Sequence, residues 1–181
     1  KHRRGALEVA PMAVAACLEQ QGLTARDIDY LCCITSTGWL TPGLSAILMR
    51  ELGFREDCSR VDIVGMGCNA GLNGLNPVAS WAMANPGKNA LMVCIEICSA
   101  AYVFDGSMRT AIVNSLFGDG VAAVLVRASE LDERCFAPKI LGFDSHIISS
   151  ALDAMRFDWD EEQGKYSFFL DRDIPYVVGA N

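Results

Sequence analysis

Histidine is almost missing from this chain. Only His2 and His146 occur in 181 residues, so a zinc site built on His and Cys has few ligands to draw on. No CxxC pair exists; the nearest approach is the CxxxC of Cys94 and Cys98, the only footing for a redox or metal protein. Positive charge is scarce too. Fifteen Lys and Arg face 22 Asp and Glu, a net charge of -7. Such a surface repels a polyanion, and the basic cluster Lys1-His2-Arg3-Arg4 is too short to reverse that. Nucleic acid is therefore not expected as a partner. No apolar run approaches the roughly 20 residues that span a bilayer. The chain opens on charge, with no signal-peptide core or cleavage site. A cytoplasmic protein, away from membranes, is the expectation.

What is present is a globular composition, 51% hydrophobic and 20% charged, enough for one domain with a sizeable core. Eight cysteines stand at 17, 32, 33, 58, 68, 94, 98 and 135. Most lie in apolar runs, where Cys behaves as a small hydrophobe, as suits a reducing compartment.

Apolar periodicity predicts an amphipathic helix over 6–21, carried by Leu7, Val14 and Leu18 and ended by Gln20-Gln21-Gly22. Continuous apolar runs predict buried strands at 30–35, 60–64, 89–95 and 121–126. Helices are expected at 44–52, 69–84 and 110–116. Strands this apolar, alternating with helices, imply an α/β fold with a mainly parallel sheet covered on both faces. Beyond residue 135 the character changes. Residues 140–148 alternate, 155–165 are acidic and aromatic, 166–170 can form a strand, and Asp173-Ile174-Pro175 looks like a helix start.

The segment Val61-Asp-Ile-Val-Gly-Met-Gly-Cys-Asn-Ala-Gly-Leu72 carries chemistry. It puts Cys68 on a strand-to-helix turn between glycines. Glycine permits unusual backbone angles and close approach of a substrate. A helix start favours a thiolate, which can carry an acyl group as a thioester. A small core Cys in a βα turn would satisfy the same pattern. No base accompanies Cys68: His2 sits in the basic N-terminal stretch, and His146 lies about 80 residues further on in an apolar segment, where core or surface positions are the rule.

Four ordered motifs carry a resemblance. They are the Thr35-Ser36-Thr37-Gly38 loop with Pro42-Gly43, then Gly67-Cys68-Asn69-Ala70-Gly71, then Cys94-Ile-Glu96-Ile97, then Leu116-Phe117-Gly118-Asp119-Gly120-Val-Ala-Ala. Together they resemble the thiolase superfamily, and within it the type III polyketide synthases (the chalcone synthase group). The Asn69–Asn76 run and the Ile97–Ala101 run point to a narrower branch, one that serves antibiotic biosynthesis.

The resemblance implies a thiolase-like fold with a mixed, mainly parallel sheet, and decarboxylative Claisen condensation of malonyl-CoA. Cys68 matches the nucleophile. Phe117 matches one gatekeeper phenylalanine between the CoA tunnel and the cavity, and Phe168 the second. Ser36, Cys98 and Ala101 fall where the family lines its cavity. Glu96 ends a strand on the cavity side, with a structural or a direct role. Thr41 stands where the family often has a methionine that reaches the partner subunit, a departure at the contact of the implied homodimer. The implied substrates are CoA thioesters, with no further cofactor and no metal. In the narrower branch, malonyl-CoA is also the starter, and four units join and cyclise.

The family's catalytic His and Asn lie in a second thiolase half, beyond residue 181. The chain therefore resembles the first (N-terminal) half, residues 1–135 carrying the nucleophile and 136–181 opening the connecting and cavity segment. The remaining half of the enzyme is then an implied partner. Two alternatives remain: another condensing enzyme, such as a ketoacyl synthase III, which would be expected to show a basic patch for its acidic carrier protein, and a non-catalytic fragment or dimerisation half.

Overall fold

The computed structural model describes residues 1–128 and 137–179. Cys135 and the boundary expected at 135/136 lie outside the described residues. The chain divides into two compact units, Lys1–Ile97 with Gly120–Gly142 and Cys98–Asp119 with Phe143–Asn181.

The first unit is built on a four-stranded sheet in the order β2-β1-β3-β4. Its strands are β1 (Tyr30–Thr35), β2 (Ser59–Val64), β3 (Ala90–Glu96) and β4 (Gly120–Val126). β1 runs parallel to β2 and to β3, whereas β3 and β4 are antiparallel. This is the expected mixed, mainly parallel sheet. Three helices serve it: α1 (His2–Glu19), α2 (Leu44–Leu52) and α3 (Ala70–Ala84).

Strand side chains alternate between two buried faces. Cys32, Ile34, Ala90 and Met92 form one core cluster with Ala70, Val78 and Ala82 of α3. Leu31, Cys33, Leu91, Val93 and Ile95 are fully buried on the other face, which α1 and α2 cover. α3 approaches β1 so closely that a Cβ at Gly74 would lie 2.1 Å from Ile34 Cδ1.

Helix α1 begins at His2 rather than residue 6, and its buried stripe is His2, Ala6, Ala10, Val14 and Leu18. Leu7 is only half-buried. The strands at 60–64 and 121–126 were expected to be buried. Both are sheet edges, and their residues are half-buried or exposed. An edge strand has a neighbour on one side only, so its apolar residues are covered less well.

The second unit holds a 3-10 turn (Cys98–Ala101), α4 (Met108–Leu116), the antiparallel hairpin β5 (Met155–Asp160) with β6 (Lys165–Leu170), and α5 (Ile174–Gly179). The acidic stretch 155–165 thus supplies a strand and its turn, and the alternating residues 140–148 form no regular element. Among the described residues, no helix is long and apolar enough to cross a membrane.

Candidate active site

Cys68 stands between the end of β2 and the start of α3. Two glycines make the turn: Gly65 and Gly67 both adopt φ of 78°, a left-handed conformation that favours glycine. The Gly65 N–H donates to the Thr35 carbonyl at 3.1 Å, and the Ala70 N–H donates to the Gly67 carbonyl at 3.0 Å. The turn is therefore tied to β1 on one side and to the helix on the other. Asn69 caps the helix, and the Asn73 side-chain amide donates to the Asn69 side-chain oxygen at 3.0 Å.

Cys68 is exposed, not a core residue of a βα turn. Among the described cysteines it is the exposed one: Cys32, Cys33 and Cys58 are buried, and Cys17, Cys94 and Cys98 lie half-way. Burial pushes Cys32 up to about 12 and Cys58 up to about 11, and drives Cys33 well above the usual thiol range. Cys94 is raised by burial and by the Glu96 carboxylate. Its Sγ packs 3.6 Å from where a Cβ on Gly71 would sit.

Ser36 lies beside the nucleophile turn. Its hydroxyl accepts the Gly67 N–H at 3.0 Å. Glu96, at the end of β3, holds the loop that carries Ser36. One carboxylate oxygen accepts the Ser36 N–H at 2.8 Å, and the other accepts the Thr37 hydroxyl at 2.7 Å. Thr37 Oγ1 in turn accepts the Ile97 N–H at 2.9 Å. His2 is not part of a solvated basic tail. Its ring is buried, with Nε2 3.1 Å from both Thr35 Oγ1 and Thr37 Oγ1. No local sequence pattern announces these partners; the one available signal is Glu96 itself, a carboxylate closing an otherwise apolar strand. His146 is exposed, as is Thr41.

In the second unit, Phe117 and Phe168 meet edge to face with ring centroids 5.3 Å apart. The Tyr102 hydroxyl donates to the Phe117 carbonyl, and the Lys165 ammonium to the Tyr102 carbonyl. Cys98 and Ala101 lie half-buried on the 3-10 turn. Ser99 in that turn holds Asp119 twice, through its N–H at 2.8 Å and its hydroxyl at 2.7 Å. The structure thus brings Ser36 to the Cys68 turn, and Phe117 to Phe168, each pair within its own unit. A shallow groove of about 580 Å³ runs past Tyr102, Phe104, Thr110 and Asn114 and takes in none of the expected cavity residues. Among the described residues, no cluster of three His, Cys, Asp or Glu could hold a metal ion.

Comparison with known proteins bears on this geometry. Residues 1–180 match the family described as FAE1/type III polyketide synthase-like protein. The whole chain is 58% identical to the 3,5-dihydroxyphenylacetyl-CoA synthase of Amycolatopsis balhimycina, over 48% of that protein. It is 57% identical to the synthase of the same name from Streptomyces toyocaensis, over 47% of its length. The crystal structure of 1,3,6,8-tetrahydroxynaphthalene synthase from Streptomyces coelicolor A3(2), a bacterial type III polyketide synthase, superposes with a TM-score of 0.85 at 30% identity, covering 98% of this chain and 49% of the other. The chain spans about half the length of these relatives. With nearly every residue matched to the family and the fold shared, the chain belongs to the type III polyketide synthase-like family.

Proposed function

We propose that the protein is an acyltransferase that condenses malonyl-CoA on a cysteine thioester, with 3,5-dihydroxyphenylacetyl-CoA formed from four malonyl-CoA as its product. The observation that carries this is Cys68: an exposed thiol on a glycine turn at a helix start, in a chain 58% identical to a synthase of that product's name.

The Cys68 sulfur attacks the thioester carbonyl of a starter malonyl-CoA, and the CoA thiolate leaves. In an extender malonyl-CoA the bond to the carboxylate breaks, CO₂ departs, and its electron pair becomes an enolate. The enolate carbon attacks the Cys68 thioester and expels the sulfur, so the chain passes to the extender's CoA. Phe117 and Phe168 offer aromatic faces, on which a malonyl carboxylate finds an apolar setting that favours loss of its charge. Ser36, Cys98 and Ala101 line the space for the growing chain. CoA thioesters suffice, with no other cofactor.

In this proposal residues 1–135 are the nucleophile-bearing half and 136–181 open the segment toward a second half, where a His and an Asn complete the machinery. A cytoplasmic homodimer fits, with Val64 and Met66 exposed beside the open edge of β2.

The test is a denaturing intact-mass spectrum of the complete protein after brief incubation with malonyl-CoA. An acyl adduct mapping to Cys68, absent from Cys68→Ala along with all product, is expected. Product formed at the normal rate by Cys68→Ala would remove the site; no adduct at all would favour a non-catalytic half.

A further inference from the structure

We infer that Ser36 and Glu96 are positioning residues for the Cys68 turn, Ser36 by clasping the backbone of Gly67 and Glu96 by fixing Ser36; this rests on Cys68 being the nucleophile. The cavity role expected for Ser36 treats it as wall. Its hydrogen bonds to Gly67 make it a clamp as well.

The Ser36 hydroxyl reaches both backbone groups of the residue directly before the nucleophile. It accepts the Gly67 N–H at 3.0 Å and lies 3.4 Å from the Gly67 carbonyl oxygen. Gly67 has φ of 78° and no side chain to pin it, so its conformation depends on such bonds. Its carbonyl also takes the first N–H of α3 from Ala70. Moving Gly67 therefore moves the thiol and the helix start together. Reaction geometry at a nucleophile is sensitive to displacements of this kind.

Ser36 is itself held by a charged group. The Glu96 carboxylate accepts the Ser36 N–H with one oxygen and the Thr37 hydroxyl with the other. Charge-assisted hydrogen bonds of this length are the stronger kind. The Thr37 hydroxyl donates to Glu96 and accepts from the Ile97 N–H, and His2 Nε2 lies 3.1 Å from the same oxygen. A Gln in place of Glu96 has one side-chain oxygen and cannot accept from both the Ser36 N–H and the Thr37 hydroxyl, as the carboxylate does. Glu96→Gln thus removes one arm of the clamp while preserving its shape.

The experiment compares Ser36→Thr and Ser36→Val, equal in volume and differing in the hydroxyl, together with Glu96→Gln, in the complete protein. Two quantities are read: amide hydrogen exchange at Gly67, and the rate of covalent loading of Cys68 by saturating malonyl-CoA. In Ser36→Val and in Glu96→Gln, exchange should rise and loading should fall, each by about fivefold, the value of one hydrogen bond. Half-saturating malonyl-CoA should stay within about twofold, since positioning acts on the step rather than on binding. Ser36→Thr should restore both. Unchanged exchange in Ser36→Val would overturn the clasp. Faster exchange with unchanged loading would overturn positioning, and a changed product length in that case would make Ser36 a wall residue. A wild-type protein whose Cys68 takes no acyl group would instead sink the nucleophile assignment, leaving the clasp to be judged by exchange alone.

Discussion

The rings of Phe117 and Phe168 meet at 81°, edge to face, with centroids 5.3 Å apart. Phe157 backs Phe168 at 5.1 Å, and Tyr102 grips the Phe117 backbone. An edge-to-face pair of this kind contributes about 1 kcal/mol beyond area burial, and here it fixes the orientation of two aromatic faces that we propose steer a malonyl carboxylate. Phe168→Ala removes one face and frees the other. Release of labelled CO₂ from malonyl-CoA should fall by about fivefold or more, with Cys68 still loading. Wild-type CO₂ release in that variant would leave the pair a packing contact only.

The thiols should react in order of exposure. Cys68 is exposed, whereas burial raises Cys32 to about 12 and Cys58 to about 11, so both stay protonated at pH 8. Buried, protonated thiols are poor nucleophiles. Iodoacetamide at pH 8, followed by peptide mass mapping, should give one fast alkylation at Cys68, with Cys32, Cys33 and Cys58 modified only on unfolding. Even labelling of all the cysteines would contradict this order.

Legibility follows from the range of the interactions. β1 and α2 have the very limits that apolar runs and flanking breakers indicate, and α3 starts one residue late because Asn69 is its cap. Cys68 was legible because the glycines that shape its turn are its sequence neighbours. The hairpin strand Met155–Asp160 was masked by charge: Met, Phe and Trp alternate there with Arg and Asp, and four acids between 158 and 162 dominate the composition. His2 was masked in the same way, by Lys1, Arg3 and Arg4. The bond from Gly67 to Ser36 spans 31 residues and that from Ser36 to Glu96 spans 60. Pairings of that range come from strand order in the sheet, which no local spacing encodes.

Gly74 is required by packing rather than by its backbone angles. A Cβ there would sit 2.1 Å from Ile34 Cδ1. Gly74→Ala gains roughly 1 kcal/mol in helix propensity, and overpacking costs about 1–3 kcal/mol. Chemical denaturation should show a net loss. Adding Ile34→Val removes the colliding methyl, so the double variant should lose less than the two single losses combined. Strict additivity would mean the two residues do not touch.

The turn before α4 should be acid-sensitive. The Thr110 hydroxyl, at 2.5 Å, and the Ser107 N–H, at 2.9 Å, donate to Asp105 and lower it from the ordinary 3.8 to about 2. A carboxylate lowered on folding contributes stability that is whole above pH 3.8 and is lost as pH falls through about 2. Protection of amides 105–111, taken as exchange relative to the intrinsic rate at each pH, should therefore fall between pH 4 and pH 2. Asp105→Asn should exchange faster at pH 5 and respond less over that window. An equal pH response in the two proteins would assign the effect to another group.

Product length should depend on the 3-10 turn of Cys98 and Ala101. Ser99 anchors that turn to Asp119 through two hydrogen bonds of 2.8 and 2.7 Å, so a larger side chain at either flank cannot be absorbed by moving the backbone without breaking them. Under the proposed function the added volume must instead enter the space where the growing chain folds. Ala101→Leu and Cys98→Phe should each shorten the product by at least one malonyl unit, read by mass spectrometry of the released acids, while Cys68 loads at its normal rate. Asp119→Ala in the Ala101→Leu background removes both anchors and should restore part of the full-length product. An unchanged product in Ala101→Leu would show that the turn does not border the cavity. A shortened product that Asp119→Ala leaves unchanged would show that it does so without depending on this anchor.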